Sequence, residues 1–294
     1  MLLPQFRYHD PTRLEEALQV MSTLKEKAAV IAGGTDVLVN IKKGVIRPED
    51  VVSLGRIPEL RTVSFNDGIL KIGACVTASE LTEYKEVNSE FHALSEGAES
   101  LGSPLIRNLA TIGGNLVTAR PAADFPPSLI AYEAKLVLRN SVRERLVSVD
   151  KFFVGPGETI REPDELLTVI LIDRPPAHSG AHYMKLGMRK SLSISIVNVA
   201  CYLALNEGGC IDLARIALGA VAPTPVRAKE AEICLMGEKA SESLFRKAGE
   251  LAIKDCRPID DHRGSTEYRY AMVGVLTRRA LTVAFKNAER NRSR

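Results

Sequence analysis

A chain of 294 residues, 45% hydrophobic and 26% charged, has the size and balance of an ordinary soluble globular protein with one large domain or two. Its 39 basic and 36 acidic residues leave a net charge of +3, too even for a nucleic-acid or anionic-membrane partner, and tryptophan is absent. The N-terminus turns polar by residue 5, and the longest apolar run, from Ile194 to Leu205, is broken by Ser195 and Asn198. That run is too short for a bilayer span, so a cytoplasmic protein without a secretory signal is expected.

In chain order, "TRLEEALQVMSTL" carries apolar residues at helical spacing behind Thr12, which is placed to cap it. "AAVIAGGTD" reads as a short buried strand running into a glycine turn, and "VLVNIKKG" as a helix ending in lysines and glycine. "RTVSFNDGILKIGA" predicts a hairpin turning at Asp67-Gly68, and Thr77 with Glu80 has capping-box spacing. A helix is expected within "FHALSEGAESLGSPLIRN", then a second glycine turn at "TIGGN", then a hairpin around Asn140-Ser141. "VGPGETIREPDELL" and "DRPPAHSG" punctuate the chain, the latter as a domain boundary. A hairpin turning at Asn206 to Gly209 and two helices, over "ESLFRKAGELAIKDC" and "YRYAMVGVLTRRALTVAFKNAER", complete it. Hairpin-linked strands with helices on one side argue for an α+β fold, not a doubly wound parallel sheet.

The cysteines, Cys75, Cys201, Cys210, Cys234 and Cys256, form no CxxC pair and no metal-ligand spacing with histidine. They read as small buried hydrophobes in a reducing compartment, in a chain with no metal or iron–sulfur cluster of its own. The histidines, His9, His92, His178, His182 and His262, sit outside any motif, and no Ser/His/Asp or Cys/His set can be nominated. Chemistry in such a chain belongs to a bound cofactor.

Two glycine pairs carry the binding argument. The first lies in Val30, Ile31, Ala32, Gly33, Gly34, Thr35 and Asp36. Glycine after a strand permits positive φ and leaves backbone amides unshielded, and with the start of a helix those amides make an anion site. Thr35 adds a hydroxyl, and Asp36 is better placed to cap the helix than to meet a phosphate. Taken alone, this stretch reads as a tight turn, and neither GxGxxG nor a P-loop lysine occurs. The second pair, in Thr111, Ile112, Gly113, Gly114 and Asn115, repeats the pattern, so the two turns are expected to grip one pyrophosphate, or a phosphate and a ribose. Asp124, between prolines and alanines, is an acceptor for sugar-type hydroxyls or an exposed loop acid.

"AGGTD", "TIGGN", "ARPAAD" and "GPGETIREPDELL" occur in that order and at those separations. With them the chain resembles the FAD-binding (medium) subunit of the molybdenum hydroxylases, the group of xanthine dehydrogenases, aerobic carbon monoxide dehydrogenases and nicotinate dehydrogenases. The resemblance extends through "YMKLGMRKS" and "LGAVAPTPVRA" to essentially the whole chain. It implies a two-subdomain FAD-binding domain of the vanillyl-alcohol-oxidase type over 1–176, divided near residue 58. A smaller α+β domain over 177–294 would follow. By position, Val30 to Asp36 would wrap the pyrophosphate, and Thr111 to Asn115 would hold its other side and the ribityl region. Leu101 would make an apolar contact, Asp124 would take hydroxyls, Arg161 and Leu167 would approach the cofactor, and Lys185 would lie near the isoalloxazine ring. Ser193 stands where many relatives carry an acid after Lys185 and Arg189, which leaves the acceptor open.

The resemblance also implies a large molybdopterin-binding partner and a small [2Fe-2S] partner. Electrons would pass from the clusters through FAD to NAD or another acceptor. Two alternatives remain at this level. One is a stand-alone FAD-dependent reductase or oxidase, which would turn over by itself; the other is a non-catalytic nucleotide-binding module, which would retain no flavin.

Overall fold

Three short parallel strands, β1 (Arg7–His9), β2 (Ala28–Ile31) and β3 (Asp50–Ser53), pair in the order β1-β3-β2 in the computed structural model, which describes residues 3–189 and 191–292. Helix α1 (Leu14–Leu24) buries Leu14, Ala17, Leu18 and Met21, the face its spacing predicts, in a core shared with Leu54, Ile57, Leu60 and Cys75. Thr12 does not cap it: Arg13 holds the N-cap position without a side-chain bond, and the Thr12 amide instead donates to Glu16 at 3.1 Å. β2 is half-buried, not buried, because it is an edge strand. Helix α2 (Val37–Lys42) ends at Gly44 with φ 71°, the left-handed closure that glycine permits. Asp36 occupies its N-cap position but forms no capping bond, so the expected cap is absent there too.

Asp50 is sealed beneath Arg7 and His9, with Arg7 Nε at 2.8 Å and Nη2 at 2.7 Å from its oxygens and His9 Nε2 at 2.7 Å. The Arg7 and His9 bonds hold its carboxyl well below the usual carboxylate range. A depressed folded-state value means that this stabilisation is complete above the ordinary carboxylate value of 3.8 and is lost as pH falls below it. Arg7→Gln is therefore expected to flatten the fall in urea midpoint between neutral and strongly acid pH. An unchanged acid slope would show that the pair contributes nothing.

The second sheet has the order β4-β5-β10-β6-β7, antiparallel throughout: β4 (Val63–Asn66), β5 (Ile69–Gly73), β6 (Lys135–Arg139), β7 (Glu144–Ser148) and, after a small hairpin of β8 (Phe153–Gly155) and β9 (Glu158–Thr159), β10 (Leu166–Asp173). Asp67 (φ 51°) and Gly68 (φ 73°) turn the first hairpin with positive dihedrals at both central residues, matching strand twist. Asn140 Oδ1 closes the β6–β7 turn by accepting the amides of Val142 and Arg143. Five helices and a single turn lie between β5 and β6: α3 (Ala78–Glu83), α4 (Lys85–Glu90), α5 (His92–Ser100), the turn α6 (Pro104–Arg107), α7 (Ile112–Val117) and α8 (Phe125–Ala131). The Thr77–Glu80 capping box forms in both directions. Two helices correct the sequence reading: "TIGGN" opens α7 and is not a loop, and the prolines after Asp124 sit in the first turn of α8, where no amide donor is needed.

The third sheet, β11 (Ser179–Gly187), β12 (Ser195–Leu205), β13 (Ile211–Gly219) and β14 (Val226–Arg227), is antiparallel in chain order. β12 is buried along its whole length because both faces are covered. Ala200, Tyr202 and Ala204 join the core over α5 and α8; Val199, Cys201 and Leu203 face the core of α9 (Lys229–Leu235), α10 (Glu242–Ala252) and α11 (Thr266–Arg292). The α+β reading stands. Cys75, Cys201 and Cys256 are buried, and burial pushes the Cys75 and Cys256 thiols up to about 12. Cys210 and Cys234 are only half-buried, against expectation. Among the described residues no helix is long and apolar enough to cross a membrane, and no His/Cys/Asp/Glu group could hold a metal ion.

Candidate cofactor cleft

The first glycine pair has two separate jobs. A Cβ on Gly33 would lie 1.7 Å from the Leu109 carbonyl oxygen, so Gly33 lets one backbone press on another. Gly34, at φ 73°, makes the reversal after β2. Among the described residues the amides of Gly33, Gly34, Thr35 and Asp36 find no acceptor. Four adjacent donors without partners are what an anion would recruit.

The second pair differs. Ile112 N–H donates to the Val76 carbonyl at 3.0 Å, Gly113 N–H to Ala74 at 2.9 Å and Gly114 N–H to Thr111 Oγ1 at 3.0 Å. The expectation of bare amides at Gly113 and Gly114 is therefore corrected: α7 begins here, and its first donors are satisfied by Thr111 as N-cap and by the end of the β5 strand. Gly113 is small because Ala74 lies 2.6 Å from where its Cβ would be. What this segment offers a ligand is Asn115, whose Oδ1 accepts the Phe125 amide at 3.3 Å while Nδ2 has no acceptor among the described residues.

The two segments face each other. Val30 and Ala32 to Asp36 on one side, and Ala110, Thr111, Gly114, Asn115 and Thr118 on the other, wall a narrow compartment of about 260 Å³. Asp36, Leu101, Asn115 and Thr118 also belong to a wider compartment of about 620 Å³, so the two adjoin. The wider one runs along residues 120–124 to 192–194, to Ala220, Ala222 and Pro223, and to residues 257–259 with Arg263 and Arg269 of the C-terminal portion.

Asp124 stands on the wall of the wide compartment, on a side chain only 10% exposed. Its Oδ1 receives Lys185 Nζ at 2.9 Å, the Tyr183 hydroxyl at 3.0 Å and Ser195 Oγ at 3.2 Å. Burial pushes the carboxyl above its ordinary value, and Lys185 with the hydroxyls pulls it back. Asn198 Nδ2 fixes the cluster by donating to the Tyr183 oxygen and the Ala123 carbonyl. Oδ2 takes no donor among the described residues, which leaves it for the cleft.

Of the residues read from the sequence, Val30, Ala32, Gly33, Gly34, Thr35, Asp36, Leu101, Thr111, Gly114, Asn115 and Asp124 line this cleft. Ile31 and Gly113 support it from behind; Ile112 and Leu167 lie in the hydrophobic core. Arg161 ties its own loop together, donating to the carbonyls of Glu162 and Glu165, and Lys185 stands behind Asp124 with its second bond to the Ser100 carbonyl. Ser193 lines the wide compartment and its hydroxyl accepts the Met188 amide. Sequence reasoning missed Thr118, Arg120, Ala220 and the arginines at 257, 263 and 269; the one local signal was the "LGAVAPTPVRA" loop, where Ala220 takes φ 64°.

Residues 4–175 match the family described as the FAD binding domain in molybdopterin dehydrogenase, and residues 182–284 match the CO dehydrogenase flavoprotein C-terminal domain. The chain belongs to the FAD-binding medium-subunit family of the molybdenum hydroxylases. It is 32% identical to the carbon monoxide dehydrogenase medium chain of Hydrogenophaga pseudoflava over 97% of this chain and 99% of that one. The nicotinate dehydrogenase FAD-subunit of Eubacterium barkeri is 34% identical over 80% and 81%. Among solved structures, carbon monoxide dehydrogenase from Hydrogenophaga pseudoflava superposes with a TM-score of 0.94 at 33% identity, covering 98% of this chain and 99% of that one. Quinoline 2-oxidoreductase from Pseudomonas putida 86 gives 0.92 at 30% identity, covering 98% and 99%. The chain is thus an oxidoreductase flavoprotein component, and FAD is its cofactor. The cleft fits that group: free amides for a diphosphate, Asn115 Nδ2 and Asp124 Oδ2 for hydroxyls, and Leu101 as an apolar wall.

Proposed function

We propose that this chain takes electrons from [2Fe-2S] clusters of a small partner subunit and passes them to NAD or another acceptor, for a substrate oxidised at molybdopterin on a large partner. The observation that carries the reading is that the amides of residues 33–36, Asn115 and Asp124 line two adjoining compartments that share Asp36 and Asn115. FAD, when bound, supplies both one- and two-electron redox chemistry, which this chain's side chains lack. The chain's own residues bind and orient. The four amides would hold the diphosphate, Asn115 and Asp124 would fix the hydroxyl-bearing linker, and Leu101 would exclude water from one wall. Lys185 would act on the cofactor through Asp124. The relatives' description as medium chains and FAD subunits supports partner subunits for this chain as well. The same reading divides the chain at about residue 58 and residue 176 and places it in the cytoplasm, where five free thiols are at home.

The test is the visible spectrum of the purified full chain, as isolated and after incubation with FAD. One tightly held FAD per chain, released on denaturation, is expected. A chain that retains no flavin under either condition would sink the reading.

A further inference from the structure

Strand β11 is an edge of its sheet, so alternate backbone groups along it have no neighbouring strand. Side chains serve them instead. Asn291 Nδ2 donates to the Ser179 carbonyl at 2.9 Å and Asn287 Nδ2 to the Ala181 carbonyl at 3.1 Å, both from α11 of the same C-terminal portion. The Tyr183 amide is served from across the seam, by α5. It donates to Glu96 Oε2 at 2.7 Å, and His182 Nδ1 lies 2.7 Å from Glu96 Oε1. These two side chains are 33% and 19% exposed, so water competes only partly for the bonds, and neither residue lines the cofactor compartments.

One helical turn after Glu96 a second tie runs in the opposite direction, from Lys185 Nζ to the Ser100 carbonyl at 3.0 Å. Four residues of helix rise about 6 Å and two of strand about 6.6 Å. Bonds at 96–183 and 100–185 therefore run in step and hold α5 alongside β11 in one register. Helix and strand each carry part of the cleft. Leu101, the residue after α5, lines both compartments, while Tyr183 and Lys185 hold Asp124 Oδ1. The helix also lies directly on Asp124, since a Cβ on Gly97 would come within 3.3 Å of its carbonyl oxygen. A shift of α5 along β11 moves Leu101 against Asp124. Glu99, the other acid of α5, is exposed.

We propose that Glu96 is a positioning residue of the flavin site: by accepting the Tyr183 amide it sets the register of α5 against β11, and with it the spacing of Leu101 and Asp124 that the cofactor meets. His182 orients the carboxylate and is the lesser member of the pair. A carboxylate suits the role because its two oxygens take two donors at once, and bonds to a charged acceptor are the stronger kind. Glutamine would still accept the Tyr183 amide through its own oxygen, and its amino group would meet the other tautomer of His182. Alanine would lose both bonds. The role presupposes FAD in the cleft, as proposed above, and adds a residue outside it.

The experiment is fluorescence titration of FAD with full-length wild type, Glu96→Ala, Glu96→Gln, His182→Ala and Leu281→Ala, with a urea midpoint and a bound-flavin spectrum for each. Leu281 is fully buried in the C-terminal core and serves as the measure of general destabilisation. Glu96→Ala is expected to weaken FAD about tenfold and to alter the bound-flavin spectrum, as loss of a charge-assisted bond does. Glu96→Gln and His182→Ala should stay within about threefold of wild type. Leu281→Ala should lower the urea midpoint at least as far as Glu96→Ala and yet bind FAD as wild type does. Should Glu96→Ala not fold, Glu96→Asp, one methylene too short to reach the amide, takes its place with the same expectation. Three results overturn the assignment. The first is unchanged FAD affinity and spectrum in the shortened variant. The second is as large a loss in Glu96→Gln, which keeps the acceptor. The third is an equal loss in Leu281→Ala, which would make destabilisation alone the cause. Failure of wild type to retain FAD is a different result and removes the cofactor reading first.

Discussion

Gly33→Ala is expected to lower FAD affinity by about tenfold to a hundredfold, while Gly114→Ala has a much smaller effect. The added methyl at position 33 would meet the Leu109 carbonyl oxygen at 1.7 Å, its carbon at 2.5 Å and the Ala110 nitrogen at 3.2 Å. All three are backbone atoms and none can rotate aside. The strand-end turn must lift from residues 109–110, and the four free amides move with it, away from Asn115. Overpacking of this kind costs about 1–3 kcal/mol, which as lost binding geometry is the expected range of affinity. At Gly114 the nearest atom is the Thr111 hydroxyl oxygen at 2.8 Å, a side-chain tip, and the φ is that of an ordinary helix. At Gly34 the neighbours are the mobile ends of Leu38 and Ile31, but φ 73° remains and costs roughly 1–2 kcal/mol for any other residue. Fluorescence titration of FAD with each variant, alongside thermal melts, measures the order. Gly33→Ala binding FAD as wild type does would show that the two segments need no close approach.

That contrast also marks how far local rules reach. Asp67-Gly68, the Thr77–Glu80 box and Asn140 were legible because each satisfies its own neighbours. The free amides at Gly33-Gly34 were legible because they belong to the turn itself. Gly113-Gly114 looks the same in sequence and behaves differently, since its donors are taken by Val76, Ala74 and Thr111. Only the fold decides that. The arginine wall had no local signature either: residues 257–269 reach the cleft because α11 packs against β11 and β12, and Ala220 reaches Pro121 because β13 ends beside α8. Lys185 was placed near the cofactor by its position in the family motif; its charge is met by Asp124, a carboxylate whose burial no spacing rule reveals. Leu167 and Arg161 were placed by motif position alone, and the sheet core and a loop carbonyl cluster account for them.

Lys185→Met is expected to destabilise the chain by about 3–5 kcal/mol, the cost of leaving one member of a buried ion pair alone. Both side chains are about one-tenth exposed, at 11% and 10%, so water screens the pair little. The methionine would leave the Asp124 carboxylate with two hydroxyl donors and no cation. Its folded-state value, already raised by burial, would rise further, because Lys185 is the largest influence that lowers it. A raised folded value means that Asp124 favours the fold most when protonated, below 3.8, and that this contribution is lost as pH rises through the folded value. The variant should therefore lose more stability toward neutral pH than wild type does. Asp124→Asn fails in the opposite sense, by stranding the Lys185 ammonium beside Tyr183 and the Ser100 carbonyl. Removing both charges together should cost less than the sum of the single changes, with a coupling of about 2–3 kcal/mol. Urea unfolding of the four proteins at acid and neutral pH reads every part of this. Additive losses with parallel pH slopes would mean that the 2.9 Å contact carries no coupling, and that Lys185 does not act through Asp124.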